Sequence, residues 1–363
     1  MTDVEVAFEQ IVQRGVARDA DDVVNAALNA AAAPVSVPRR RLARVVVAAA
    51  AVLVVATTAV AVYVRSRVGD IERVDVAAAL SDVTPAAGQP MTVLVVGVDR
   101  RLDGAPDRGA PDVGRADVIM LARFDPRAHS IAFLSVPRDV RVRIPGTDRD
   151  DRINTAYAEG PAQLIDAVAT VTGIRPDHYV EVDFAGFARL VDAVGGVTLP
   201  FAAPMRDRLS GFEVDAGCQT LDGVTALAFA RARHLETLEP DGHYSTDPTG
   251  DLGRIQRQDA LILAALADFP ARVADHPTRL NRVVEAVAEA VTLDARLSIR
   301  SFVDRVRAFT DNPPSRSFLL VPTTAVMVDG AAFLQVETAQ LPPVLKAFET
   351  PPEAEPTDGP ACP

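Results

Sequence analysis

Thr92-Val93-Leu94-Val95-Val96-Gly97 is a short apolar run ending in glycine, and Val98-Asp99-Arg100-Arg101 follows it directly. Such a run has the pattern of a buried strand. Asp99 then stands just past the carboxyl end of that strand, where open α/β sheets bind their ligands. Downstream, a loop rich in Gly, Pro and Asp (103–114) is followed by Arg115-Ala116-Asp117 and a second apolar run, Val118 to Phe124. Asp125-Pro126-Arg127-Ala128-His129 reads as a turn and Ile131 to Val136 as a third strand, which makes the pair a hairpin. Pro137-Arg138-Asp139 interrupts, and Val140 to Ile144 alternates arginine with apolar residues. Asp99, Arg115, Asp117, Arg138 and Asp139 thus fall at strand ends or in adjoining loops. Loop aspartates commonly serve turns. Two at neighbouring strand ends also suit Mg2+, which is often held by one or two carboxylates plus substrate phosphate.

Helix and strand alternate beyond this block. Gly160-Pro161 opens a helix over Ala162 to Val171, and Gly173 and Pro176 close it. His178 to Val182 alternates as a strand, and its lone histidine reads as structural. Phe184 to Val194 is an amphipathic helix stopped by Gly195-Gly196. Val197 to Leu199 is a short strand before Pro200. Three further helices are expected over Asp251 to Phe269, Val283 to Val291 and Ile299 to Phe309. Ser317 to Val321 reads as a strand, and Ala332 to Phe348 as a terminal helix interrupted near Pro342-Pro343. The alternation with short connections predicts an α/β fold, an α-β-α sandwich around one central mixed sheet.

The second charged block runs from Arg231 to Gln258. Leu221 to Ala230 looks helical, so Arg231 and Arg233 are expected just past its end, sharing one face of an extended segment. A long polar loop, His234 to Thr249, separates them from Asp251-Leu252-Gly253-Arg254-Ile255-Gln256-Arg257-Gln258. Asp251 suits an N-cap, and Arg254 and Gln258 lie one turn apart on the helix it opens. Free N–H groups at a helix start and guanidinium forks are both suited to phosphate. Surface Arg–Asp pairs on a solvated helix would leave the same residues in the sequence.

The net charge of −12 argues against a general nucleic-acid binder. Almost all basic residues are arginine, since Lys346 is the sole lysine; with the alanine and valine bias this reads as a GC-rich genome. Val45 to Val64 is an uncharged apolar run of 20 residues, long enough to cross a membrane as a helix. Arg39, Arg40, Arg41 and Arg44 precede it, which places the N-terminus in the cytoplasm and the rest outside. A cleaved leader is disfavoured by the length of the preceding segment. The expected organisation is a cytoplasmic segment (1–44), a transmembrane helix (45–64), a stalk (65–90), a folded domain (91–349) and a disordered tail (350–363). Cys218 and Cys362 are too few for a disulfide scaffold; outside the membrane they either pair or remain two free thiols.

Eight segments, in order and at sensible spacing, resemble the LytR–CpsA–Psr family of cell-wall enzymes. They are Leu94 to Asp99, Gly114 to Leu121, Ser135 to Asp139, Arg152-Ile153-Asn154-Thr155-Ala156-Tyr157, Asp177 to Val180, Leu190 to Val197, Leu221 through Arg233, and Asp251 to Gln258. The resemblance implies a phosphotransferase that moves a glycan phosphate from a polyprenyl pyrophosphate carrier to peptidoglycan. It implies Mg2+ on Asp99 and Asp117, and pyrophosphate on Arg115, Arg138, Arg231, Arg233 and Arg254, with Asp251 and Gln258 completing the site. It also implies an apolar tunnel for the lipid, with helices 162–171, 184–194 and 252–269 as candidate walls. Asp139 and Asp251 both remain candidates for the base. The GC-rich bias favours an actinobacterial arabinogalactan ligase over teichoic acid or capsule transfer. A non-catalytic polyprenyl-phosphate-binding regulator and a pyrophosphatase acting on the carrier lipid are the alternatives.

Overall fold

The computed structural model describes Gly69 and residues 71–86, 88–99, 115–250, 253–258, 260–261, 264, 279–299, 301–302, 305, 309, 314–350 and 362. The expected membrane span, the 103–114 loop and Asp251 lie outside these residues, as does nearly all of the tail. Among the described residues no helix is long and apolar enough to cross a membrane.

A seven-stranded mixed sheet organises the fold. Its spatial order is Glu72–Val74, Val291–Asp294, His178–Asp183, Met91–Asp99, Arg115–Asp125, Ser130–Ser135 and Ser315–Leu320. The Met91–Asp99 strand is central, parallel to His178–Asp183 and antiparallel to Arg115–Asp125. Its alternate residues feed two different cores, as the period of a strand requires. Leu94, Val96 and Val98 face a cluster containing Leu164, Ile165 and Val168 of the Pro161–Thr172 helix and Phe348 of the Leu341–Glu349 helix. On the other face, Val95 joins Met120, Ala122, Phe133 and Phe309. Helices Phe184–Val194 and Gly223–Arg231 lie on that side, giving three layers, α-β-α.

The helix boundaries follow local chemistry. Asp183 and Asp222 cap the last two helices named, accepting from Gly186 N–H (2.7 Å) and Thr225 N–H (2.8 Å). Each such cap contributes about 1 kcal/mol. Gly173 and Gly195 end their helices at φ 71° and 90°, in the left-handed region that glycine enters freely.

Several boundaries differ from the sequence reading. Glu72–Val74, expected in the stalk, is an edge strand of the sheet, and Ile71, Val76 and Leu80 beside it are buried. The strand at Val197 runs on through Pro200 to Phe201. Among the described residues its one ladder partner is Gly217–Leu221, so the missing proline N–H is tolerated. The supposed loop from His234 holds a hairpin, Glu236–Leu238 with Tyr244–Thr246, within a small four-stranded sheet. Val291 starts a strand instead of ending a helix. Ala331–Val336 is a strand paired with Thr323–Val328, not the start of the terminal helix. Asp329-Gly330 turns that hairpin with φ of 50° and 80°, the Asp-Gly signature of a tight two-residue turn. Pro342 and Pro343 sit in the first turn of the last helix, where their missing N–H groups cost nothing. Cys218 and Cys362 form a disulfide with Cα atoms 5.6 Å apart.

Candidate active site

The site begins at an irregularity in the central hairpin. Gly97 pairs with Val118, but Val98 pairs with Ala116 and Asp99 with Arg115. Asp117 is therefore the extra residue of a β-bulge, a device that re-aims a side chain at the end of a ladder. Gly97 permits the close approach, because a Cβ there would meet Val118 Cβ at 2.9 Å.

The re-aimed Asp117 carboxylate pairs with the Arg138 guanidinium. Arg138 also lies 3.7 Å from Asp139, whose other oxygen is 3.2 Å from Arg152 Nε. On the neighbouring strand Asp99 accepts from Arg231 at 2.8 Å, and Arg231 lies over the Phe184 ring, 4.8 Å from its centroid. The result is a row of alternating charge across the ends of two adjacent strands. Asp99 is 27% exposed and Arg231 41%, whereas Asp117 is 20% and Arg138 15%. Pairs so near solvent contribute about 0–1 kcal/mol each to stability. That is too little to explain six arginines and aspartates converging at strand ends, so a ligand is the better reason for the row.

Two spaces flank it. At the Arg231 end lies an apolar cavity of about 160 Å3 between sheet and helices, walled by Val95, Gly97, Phe184, Phe187, Leu227 and Leu261, with Gln258 at its edge. Helices Phe184–Val194 and Gly223–Arg231, together with Gln258 and Leu261, supply its walls opposite the sheet. The Pro161–Thr172 helix, a candidate wall in the sequence reading, packs on the opposite face of the sheet and takes no part. At the other end lies a polar cleft of about 520 Å3 that includes Arg115, Arg138, Asp139, Arg152 and Asn154.

The structure thus gathers Asp99, Arg115, Asp117, Arg138, Asp139 and Arg231, with Gln258 at the cavity. Arg231 is the last residue of its helix, not the first of an extended segment; the chain leaves the helix at Ala232, where ψ is 129°. Arg233 is held by its backbone N–H on the buried Asp207 carboxylate at 2.8 Å. Arg254 and Gln258 are both buried, one turn apart on the 253–258 helical stretch. Gln258 Nε2 donates to Ala230 O (3.1 Å), and Arg257 donates to Ala232 O and to Asp247 (3.0 Å). These bonds pin the second charged block to the end of the Gly223–Arg231 helix. Gly253 makes room for them, since a Cβ there would run into Thr249 and Asp247. Burial pulls the Asp247 carboxyl upward, but hydrogen bonds from Thr249 and Arg257 outweigh it and hold it below the usual value.

Arg152 was missed as a site residue, although its segment was among those singled out. Its position becomes plain only when the Asp150–Arg152 strand pairs with Arg141–Arg143 beside the cleft. Asp99 and Asp117 are each paired with an arginine at the ends of adjacent strands, and carboxylates so placed are of the kind that hold Mg2+ when phosphate and water complete its shell. Among the described residues no three His, Cys, Asp or Glu side chains converge as a protein-only cage.

Residues 52–349 match a family model, described as the LytR_cpsA_psr family. The chain belongs to that family. LytR_cpsA_psr relatives include the polyisoprenyl-teichoic acid–peptidoglycan teichoic acid transferase TagU of Halalkalibacterium halodurans, 35% identical over 58% of this chain and 63% of that protein. The probable cell wall biosynthesis protein LcpB of Corynebacterium glutamicum is 38% identical over 51% of this chain and 44% of its own. The chain therefore spans less than two thirds of the length of either. Among solved structures, a LytR-Csp2A-Psr enzyme from Actinomyces oris is 28% identical with a TM-score of 0.59, covering 77% of this chain and 95% of that one. TagT bound to LIIa-WTA, 20% identical with a TM-score of 0.57 and covering 76% and 98%, shares the fold.

Proposed function

We propose that this protein is a membrane-anchored, Mg2+-dependent phosphotransferase that moves a glycan phosphate from a polyprenyl pyrophosphate carrier to peptidoglycan. The observation that carries the reading is the arginine–aspartate row set between an apolar cavity and a polar cleft. A lipid pyrophosphate has the same order of parts: apolar chain, paired phosphates, sugars. The names of the relatives, a teichoic acid transferase and a cell wall biosynthesis protein, point the same way. The uncharged run at 45–64 supplies the anchor and puts the domain outside, where peptidoglycan is.

Phosphoryl transfer asks for positioning and charge neutralisation more than for covalent help. Arg115, Arg138 and Arg231 orient the pyrophosphate and stabilise the charge that builds on its oxygens. Asp99 and Asp117 would hold Mg2+, which when bound neutralises the phosphate oxygens. The acceptor hydroxyl oxygen forms a bond to the glycan-bearing phosphorus as the bond to the lipid phosphate breaks. Its proton passes to a carboxylate; Asp139 lines the cleft, while Asp251, the other candidate, lies outside the described residues. The products are glycan phosphate joined to peptidoglycan and polyprenyl monophosphate. The cavity volume is below the ~300–1,000 Å3 of ordinary ligand pockets. It takes the phosphate-proximal end of a lipid chain as it stands.

The test is turnover by the full chain in detergent, with short-chain polyprenyl-pyrophosphoryl arabinogalactan or teichoic acid precursors, a peptidoglycan acceptor, and Mg2+ or EDTA. Metal-dependent attachment of glycan, with arabinogalactan the preferred donor, is expected. Lipid binding without attachment from any donor would replace the transferase with a binding protein, and release of phosphate alone would make it a pyrophosphatase.

A further inference from the structure

The polar cleft has one wall that the charged row does not explain. Hairpin Thr323–Val328/Ala331–Val336 is laid against the Pro137–Asp139 turn: Leu334 N–H donates to Asp139 O at 2.9 Å, and Leu334 bridges Val140. Arg152 ties the same hairpin down, donating to Ala332 O at 2.9 Å with its guanidinium 5.2 Å from the Phe333 ring centroid. Phe333 and Leu334 thereby become an apolar wall facing Arg115 and Arg138.

On the floor stands Asn154, 6% exposed, with its backbone N–H donating to Arg138 O at 3.2 Å. Its side-chain Oδ1 is buried and has no hydrogen-bond partner among the described residues. A buried polar atom left unpaired costs about 1–3 kcal/mol, so its retention in a cleft wall points to a ligand that satisfies it. Because amide O and N can exchange places, one end of the Asn154 amide is free for a hydroxyl or an N–H.

We propose that this cleft is a saccharide subsite, in which one sugar ring lies against Phe333 and bonds to Asn154. A pyranose offers a C–H face to an aromatic ring and hydroxyl or acetamido groups to amides and guanidinium forks, which is the chemistry of the two walls. The cleft shares Arg115 and Arg138 with the phosphate row and lies away from the apolar cavity, so it takes the sugar adjoining the reacting phosphate. That sugar belongs either to the donor glycan or to the peptidoglycan acceptor. The proposal rests on the phosphotransferase reading for the identity of the neighbouring phosphate.

The experiment measures binding by the full chain in detergent, for the native protein and for Phe333→Ala and Asn154→Ala. The probes are bare short-chain polyprenyl pyrophosphate, the same lipid carrying an N-acetylhexosamine disaccharide, and a soluble peptidoglycan fragment. Bare lipid is expected to bind all three proteins alike. A loss of about tenfold for the disaccharide lipid in both variants assigns the cleft to the donor sugar; the same loss for the fragment assigns it to the acceptor. Unchanged binding of both sugar probes in Phe333→Ala, which alters a half-buried side chain, overturns the subsite even if Asn154→Ala fails to fold. Sugar binding that depends on Phe333 without any glycan transfer would keep the subsite and overturn the transferase.

Discussion

Asp117 reaches the site because its strand carries one residue too many. In a regular ladder it would stand opposite Gly97 or Val98; the bulge leaves it unpaired and turns it toward Arg138. Asp99→Ala and Arg138→Ala are each expected to lower turnover by at least ~100-fold, the scale of losing one charge-stabilising group. Melting should change little in Asp99→Ala, whose pair with Arg231 is open to solvent and contributes only ~0–1 kcal/mol. It should fall somewhat in Arg138→Ala, which leaves the less exposed Asp117 without its partner. Turnover and thermal melting of both purified variants check this, and native turnover in both would remove these residues from the site. At this scale the sequence was informative where motif residues sit directly on strand ends, as with Asp99, Arg115 and Arg138. It was silent on Arg152, whose role depends on a hairpin almost two hundred residues away in the chain. Arg257 stood in the same motif as Arg254, yet its bonds go to Ala232 O and Asp247, so it braces the site from behind.

Elements were legible where caps and stops are local. The Pro161–Thr172 and Phe184–Val194 helices begin and end where Pro, Asp and Gly dictate. The Ala331–Val336 strand was not, because its apolar residues fit either period and the Asp329-Gly330 turn was passed over. Val291–Asp294 was also hidden: four residues are too few to show a period, and the strand is fixed by what it pairs with. Its Asp294 is 1% exposed and accepts from His178 Nδ1 (3.0 Å), from Tyr179 N–H (3.0 Å) and from Arg296 and Leu297 N–H. Burial pushes this carboxyl up, but these partners outweigh it and leave it below the usual value. A depressed folded-state pKa gives stability that is complete above the unfolded value of about 3.9 and is lost as pH falls through the folded value. Asp294→Asn should therefore lower the melting temperature at pH 7 and flatten its decline below about pH 4. Melting curves from pH 7 to pH 3 test this; an acid limb as steep as the native one would show that Asp294 does not set it.

The three-layer arrangement makes the two faces of the sheet do different work. One face is closed by a continuous apolar core under the Pro161–Thr172 and Leu341–Glu349 helices. The other leaves an apolar cavity lined in part by Phe184, over whose ring Arg231 lies. Ala230 also lines that cavity, and Ala230→Phe places a ring in it while leaving every charged side chain of the row in the sequence. It should reduce turnover of long-chain donors by about tenfold while leaving short-chain donors nearly unaffected, since only the long chain needs the space. Equal losses for both chain lengths in a lipid-length series would mean that the lipid lies elsewhere.

By itself the sequence determined the class of fold, the central hairpin, the bounds of the Pro161–Thr172 and Phe184–Val194 helices and the family, because each rests on short-range chemistry: apolar runs, caps, glycine stops and motifs read in order. Only the tertiary structure decided which helices face the sheet from which side, and that the supposed stalk supplies an edge strand. It also decided that Cys218 meets Cys362, and that a distant hairpin walls a cleft beside Arg138. Those outcomes depend on contacts between residues far apart in the chain, whose choice among alternative partners is made by burial and pairing across the whole molecule and leaves no local pattern to read.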